Sequence, residues 1–107
     1  LPIAVQRKVG LARALATQPV LLMLDEVASG LNPREIEEIV ELLRGLNNTK
    51  KVTIFLIEHI MEMVMKVSRR VIVLDYGEKI AEGLPADIVK NENVIKAYLG
   101  EKYAKGL

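Results

Sequence analysis

Two adjacent carboxylates, Asp25 and Glu26, follow the unbroken apolar run Val20, Leu21, Leu22, Met23, Leu24. A strand delivering such a pair to its carboxyl end supplies what phosphoryl transfer needs, one carboxylate to hold a magnesium ion and one to orient water. The same pair can simply end a strand and open a solvated turn. His59, the one histidine, follows a second apolar run. There an imidazole either donates a hydrogen bond to a terminal phosphate oxygen and senses its loss, or serves the fold alone. Zinc is not indicated, because neither cysteine nor a second histidine is present to complete a ligand set. The turn Ala28, Ser29, Gly30, Leu31, Asn32, Pro33 lies between the acids and a helix start, where its backbone either touches a neighbouring subunit or only connects. Met61, Met63 and Met65 fall on different faces of a helix and read as core or interface packing. Glu35, Glu37, Glu38 and Glu41 read as the solvated side of another.

These residues need elements to position them. Val5, Val9, Ala12 and Ala16, with Leu11 and Leu15 beside them, have the spacing of one helical face over 3–17. Gly10 inside that helix costs about 0.8 to 1 kcal/mol relative to alanine. Pro19 ends it, and the apolar run 20–24 reads as a buried parallel strand. Asn32 as N-cap, Pro33 at the first helical position and Glu35 three residues after the cap predict a capping box at the start of a second helix. Ile36, Ile39, Val40 and Leu43 form its apolar stripe, and Asn47, Asn48 and Thr49 break it. A second strand over 52–57, closed by Glu58 and His59, precedes a short helix around Met61 to Ser68. Strands over 71–74 and 79–82 flank Asp75, Tyr76, Gly77 and Glu78 as a hairpin, and helices over 85–90 and 93–99 close the chain with Gly100 as the stop. Strand and helix alternate through the middle, which predicts an α/β fold with a mainly parallel sheet whose ligands meet the carboxyl ends of the strands. Asp25, Glu26, Glu58 and His59 all fall at such ends.

Composition sets the outer limits. At 107 residues one core is expected, and an apolar half made mostly of Val, Ile, Leu and Ala suits a sheet buried on both faces. With 15 basic and 14 acidic side chains dispersed along the chain, nucleic acid is not indicated as a partner. Without cysteine, disulfides and thiol chemistry are out of reach. No apolar run is long enough to cross a bilayer, and a soluble cytoplasmic product is expected. The chain opens at Leu1 without methionine on a motif-like segment, so an N-terminal portion is expected outside these residues.

Taken in order, LARALATQP at 11–19, LLMLDE at 21–26, ASGLNP at 28–33 and LIEH at 56–59 resemble the second half of an ABC transporter nucleotide-binding domain, over almost the whole chain. GLNP, IEHIMEMVM, VLDYGEKIAEG and the closing NENVIKAYLGE are similar to ATPase subunits of branched-chain amino acid importers. The ATPase of lipopolysaccharide export has a similar YLGE ending, but IEH and YGEKIAEG favour the importer. The resemblance implies one partial P-loop ATPase domain over 1–107. Its signature helix would span 1–18, its Walker B strand and D-loop 20–33, its switch-histidine strand 52–59, and its C-terminal hairpin and helices 70–100. Asp25 would help hold magnesium, Glu26 would polarise the attacking water, and His59 would contact the γ-phosphate. Ser29, Gly30, Leu31 and Asn32 would cross a dimer interface, and the signature segment Leu1, Pro2, Ile3, Ala4, Val5, Gln6 would close over ATP bound by the partner. The implied partners are a second ATPase subunit and the transporter's membrane subunits, reached from the cytoplasmic side of the inner or plasma membrane.

Several positions depart from the family pattern. Where the signature reads LSGGQ or LPYGQQ, this chain has Ala4 for the glycine and the β-branched Val5 for a polar residue, from which weaker phosphate contact is expected. Val27 stands where proline usually follows the catalytic glutamate, Ile60 where aspartate often follows the histidine, and Gly10 interrupts the helix. No GxxxxGK[ST] loop occurs, and its backbone amides and lysine supply most of the grip on ATP phosphates. The 107 residues by themselves are therefore expected neither to bind ATP tightly nor to hydrolyse it. The alternative is a non-catalytic interaction domain. In the family's sheet another strand lies between those at 52–57 and 71–74, so unpaired edges are expected in these residues by themselves, and with them self-association or low stability.

Overall fold

The computed structural model describes residues 1–99, and its first helix, α1, spans Ile3–Leu15. Pro2 precedes it at φ −58° and ψ 151°, an extended conformation that fixes where the helix begins. The helix ends before Thr17 because Gln18, ahead of Pro19, takes the left-handed φ of 54°. Thr17 Oγ1 donates to the Ala14 carbonyl across this end at 2.7 Å.

Strand β1, Leu21–Asp25, pairs in parallel with β2, Thr53–Ile57. The register runs from Leu21 opposite Thr53 to Asp25 opposite Ile57. Parallel strands need a long crossover, and helix α2, Pro33–Thr49, lies within it. The expected capping box is formed: Asn32 Oδ1 accepts from the Glu35 amide at 2.8 Å, and Glu35 Oε1 accepts from the Asn32 amide at 3.0 Å. Helix α3, Met61–Val67, follows β2. Leu11, Leu22, Leu24, Ala28, Ile39, Val40, Leu43, Val52 and Met63 form one buried apolar cluster. Of Met61, Met63 and Met65, Met63 is the fully buried one.

The apolar run of β1 suggested burial on both faces, but the strand alternates. Leu22 and Leu24 are buried, whereas Leu21 and Met23 are open, as are Phe55 and Ile57 of β2. Met23 is 68% exposed and Phe55 51%. Successive strand residues point to opposite faces, and the buried cluster of helices α1 to α3 lies against only one of them.

The chain divides into two compact units, the first Leu1–Val67 and the second beginning at Ser68. In the second, β3, Val71–Asp75, pairs antiparallel with β4, Glu78–Gly83, with a register irregularity between Val73 and Leu74. Tyr76 at φ 50° and Gly77 at φ 78° make the two-residue turn, since paired positive φ angles match the twist of a hairpin. Helix α4, Pro85–Ile88, carries proline in its first turn. The short helix α5, Glu92–Val94, is capped by the Asn91 side chain and runs into a π-helical turn, Ile95–Leu99. The Tyr98 hydroxyl donates to the Leu74 carbonyl. The expected stop at Gly100 lies outside the described residues. The fold is α/β, with its strands in two separate pairs, one parallel and one antiparallel.

Candidate functional site

The parallel register brings the chemistry-bearing residues to one end of the first unit. Asp25 is opposite Ile57, and the Glu26 amide donates to the Ile57 carbonyl at 2.8 Å. Glu26 takes φ 51°, the left-handed region that non-glycine residues seldom enter. His59 Nδ1 then lies 3.4 Å from Glu26 Oε1 and 3.5 Å from Glu58 Oε1. The side chains of Glu26 and His59 are both about half exposed, at 53% and 59%, so a ligand can reach them. The Glu58 side chain, by contrast, is 0% exposed.

The turn after Glu26 is held by side chains from both flanking elements. Arg7 of α1 donates through Nε to the Val27 carbonyl and through Nη2 to the Ser29 carbonyl, each at 3.1 Å. Glu58 Oε2 accepts from the Ala28 amide at 3.4 Å. Ser29 and Leu31 donate to the Glu26 and Ala28 carbonyls, which curls the turn on itself. Gly30 sits at φ 81°, and a Cβ added there would meet Ile3 Cδ1 at 3.4 Å, an ordinary contact, so backbone conformation rather than space calls for glycine. Ile3 and Gly30 bring the Leu1 to Gln6 segment beside the Ser29 to Asn32 turn.

Within that first segment Gln6 Nε2 donates to the Leu1 carbonyl at 2.7 Å. Leu1, Pro2, Ile3, Val5 and Gln6 are exposed, while Ala4 is buried. The Ala4 methyl is therefore packed within the chain, and the Val5 side chain is presented at the surface.

Sequence reasoning missed Arg7, and it placed Glu58 at a strand end without giving it a role. The carbonyls gripped by Arg7 lie 20 and 22 positions away along the chain, and the Ala28 amide lies 30 from Glu58. The one available signal was that Glu58 sits beside His59 at a strand end. Elsewhere in this unit Lys8 bonds Glu38 at 2.8 Å, holding α1 to α2 and the Glu38 carboxyl below its usual range. Lys66 lies 2.7 Å from Glu37, whose hydrogen bond raises the lysine's pKa.

Among the described residues no three His, Cys, Asp or Glu side chains converge on an ion. Magnesium carried with a nucleotide needs only one or two carboxylates besides the phosphates. Asp25, exposed at the strand end, fits that requirement.

A family model described as a branched-chain amino acid ATP-binding cassette transporter matches residues 78–104. The high-affinity branched-chain amino acid transport ATP-binding protein LivG of Escherichia coli K12 is 50% identical over 96 residues, which is 90% of this chain and 38% of that protein. Among solved structures, cbiO1 of Clostridium perfringens, part of the ABC transporter complex cbiONQ, superposes with a TM-score of 0.79 at 26% identity, covering 99% of this chain and 43% of that one. The ATP-binding cassette MJ0796, a dimer in a post-hydrolysis state bound to ADP and Pi, superposes with a TM-score of 0.72 at 29% identity, covering 79% and 36%. The chain thus spans about two fifths of the length of the proteins it matches.

Proposed function

We propose that this chain, 50% identical over 96 residues to the E. coli LivG protein and matched at 78–104 by a branched-chain amino acid ATP-binding cassette family model, is part of an ABC transporter ATP-binding subunit and forms the water-activating side of a composite ATP site that powers amino acid import. The observation that carries this reading is the 3.4 Å approach of Glu26 and His59 at the carboxyl ends of two register-paired parallel strands. Glu26 orients the attacking water and accepts its proton, and His59, whose Nδ1 lies beside the two carboxylates, meets the terminal phosphate through Nε2. Asp25 holds magnesium, which when bound with ATP neutralises charge developing on the transferred phosphoryl group. Ser29, Gly30, Leu31 and Asn32 face a second ATPase subunit, and Leu1 to Gln6 close over nucleotide held by that subunit. The membrane subunits engage the ATPase at the cytoplasmic face and select the amino acid with their binding protein. Among the described residues no helix is long and apolar enough to cross a membrane.

The 107-residue chain is inert by itself, because no phosphate loop is among its residues. Fused behind the N-terminal part of the E. coli LivG relative, it is expected to turn over ATP. Glu26→Gln should lower that turnover by about a hundredfold to ten-thousandfold, the range for loss of a general base. A fusion whose turnover is unaffected by Glu26→Gln would overturn the assignment, as would ATP turnover by the 107 residues without the fusion. The second reading, a non-catalytic interaction domain, is favoured by the open apolar face of Leu21, Met23, Phe55 and Ile57. A folded fusion that shows no turnover yet self-associates by light scattering would support that reading instead.

A further inference from the structure

Glu58 is the one side chain at the strand ends that no ligand can reach. Its side chain is 0% exposed, although a carboxylate is expensive to bury unless charge-assisted hydrogen bonds satisfy it. The bonds it makes are specific. Oε2 accepts from the amide of Ala28, itself buried, at 3.4 Å, and Oε1 accepts from the amide of His59 at 3.0 Å. Oε1 also lies 3.5 Å from His59 Nδ1. One carboxylate therefore bridges the turn after β1 and the residue after β2.

The same turn is gripped from its other side by Arg7 through the carbonyls of Val27 and Ser29. Three consecutive residues thus have their backbone held by opposite charges, carbonyls by the guanidinium and the intervening amide by the carboxylate. An apolar side chain in place of Glu58 would avoid the desolvation cost but leave the Ala28 amide unpaired. A glutamine would offer one accepting oxygen where the structure uses two.

We propose that Glu58 is a positioning residue, whose buried carboxylate links the turn at 27–31 to His59 and keeps the proton of the neutral imidazole on Nδ1. With Nδ1 facing the Glu26 and Glu58 oxygens, Nε2 is left as the nitrogen on the ligand side, and it donates to a phosphate oxygen only when the ring carries both protons. A displacement of the turn against a partner subunit then reaches the histidine through two hydrogen bonds to one carboxylate. The use assigned to Nε2 rests on the phosphate-contacting role of His59, but proton placement on the ring can be read with no nucleotide present. Its failure is therefore distinguishable from failure of the turnover test.

The experiment is long-range 1H–15N NMR of the uniformly labelled 107-residue chain, at a pH where imidazole is neutral. His59 is the one histidine, so its ring signals need no assignment. The unmodified chain is expected to show a protonated Nδ1 and an unprotonated Nε2; a predominantly Nε2-protonated ring overturns the proposal. Glu58→Gln is expected to shift the ring towards the Nε2-protonated tautomer. It should also speed amide exchange at Ala28 and His59 about tenfold, the factor expected for local opening once a charge-assisted bond is lost. Exchange at Leu11, Ile39 and Leu43 should be unchanged, which separates positioning from general destabilisation. A folded Glu58→Gln chain with the original tautomer and unchanged exchange at both amides refutes the role. Should that variant not fold, the tautomer of the unmodified chain decides.

Discussion

Replacing Asn32 with alanine tests whether the start of α2 is fixed by its capping box. The Asn32 side chain accepts the Glu35 amide at 2.8 Å, and the Glu35 carboxylate accepts the Asn32 amide at 3.0 Å. Asn32→Ala removes the first bond outright and frees the second to fray. An asparagine cap replaced by alanine costs about 1 kcal/mol, up to about 2 kcal/mol in well-ordered proteins. Because α2 buries Ile39, Val40 and Leu43 in the central cluster, a loss at its first turn reaches the core. For a unit of this size about 1 kcal/mol corresponds to about 4 to 8 °C in thermal midpoint. The assay is urea and thermal unfolding followed by far-ultraviolet circular dichroism, with an unchanged urea slope indicating a change in stability alone. Asn32→Asp keeps the acceptor and adds a negative charge where the helix dipole favours one, so it should match or exceed the original. An Asn32→Ala chain within about 0.3 kcal/mol of the original, below the usual span for cap loss, would refute the cap, as would equal losses for alanine and aspartate.

Gly10 lies within α1, and a Cβ built there meets nothing within 4 Å. Gly10→Ala should therefore stabilise the chain by about 0.8 to 1 kcal/mol in urea unfolding, and destabilisation would show that the helix needs glycine for a contact. In the hairpin, Glu82 is held below the usual carboxylate range, first by its hydrogen bond from Lys79 and then by that from Arg70. A carboxyl lowered on folding contributes stability above its unfolded pKa, and that contribution disappears as pH falls through the lowered value. Acid should weaken the hairpin, and Glu82→Gln should flatten this dependence. At 1 M salt the difference should shrink, because both pairs are exposed and screened. An unchanged acid profile in Glu82→Gln would refute the contribution.

What was legible in the sequence was local. The Asn32, Pro33, Glu35 triplet predicts a helix start that forms as read, and the run before Asp25 predicts a strand whose end carries the acids. Where one residue's backbone conformation decides, periodicity fails: α1 has apolar spacing through Ala16, but Gln18 turns left-handed before Pro19 and the helix stops at Leu15. The run 20–24 could not disclose that only one of its faces would be covered, since hydrophobicity records what a residue tolerates and not which neighbours are supplied. The part played by Arg7, and the turn contact of Glu58, were invisible for a related reason. Each acts on backbone groups of the turn at 27–29, and a backbone carbonyl or amide leaves no mark on the sequence that lends it.

The geometry of the strand-end residues follows from the core beneath them. In β1 the buried and exposed positions alternate, Leu22 and Leu24 inward and Leu21 and Met23 outward. A slip of β1 by one residue would turn Leu21 and Met23 into the cluster and Leu22 and Leu24 out of it. The cluster of Ile39, Val40, Leu43 and Met63 opposes that slip, and so fixes Asp25 opposite Ile57. From that pairing the rest is set by short steps: the Glu26 amide meets the Ile57 carbonyl, Glu58 follows into the interior beside Ala28, and His59 emerges within 3.4 Å of Glu26. The approach of carboxylate to imidazole is thus a consequence of parallel register. Core residues such as Leu24 and Val40 set the distance between Glu26 and His59 as firmly as the two side chains that define it.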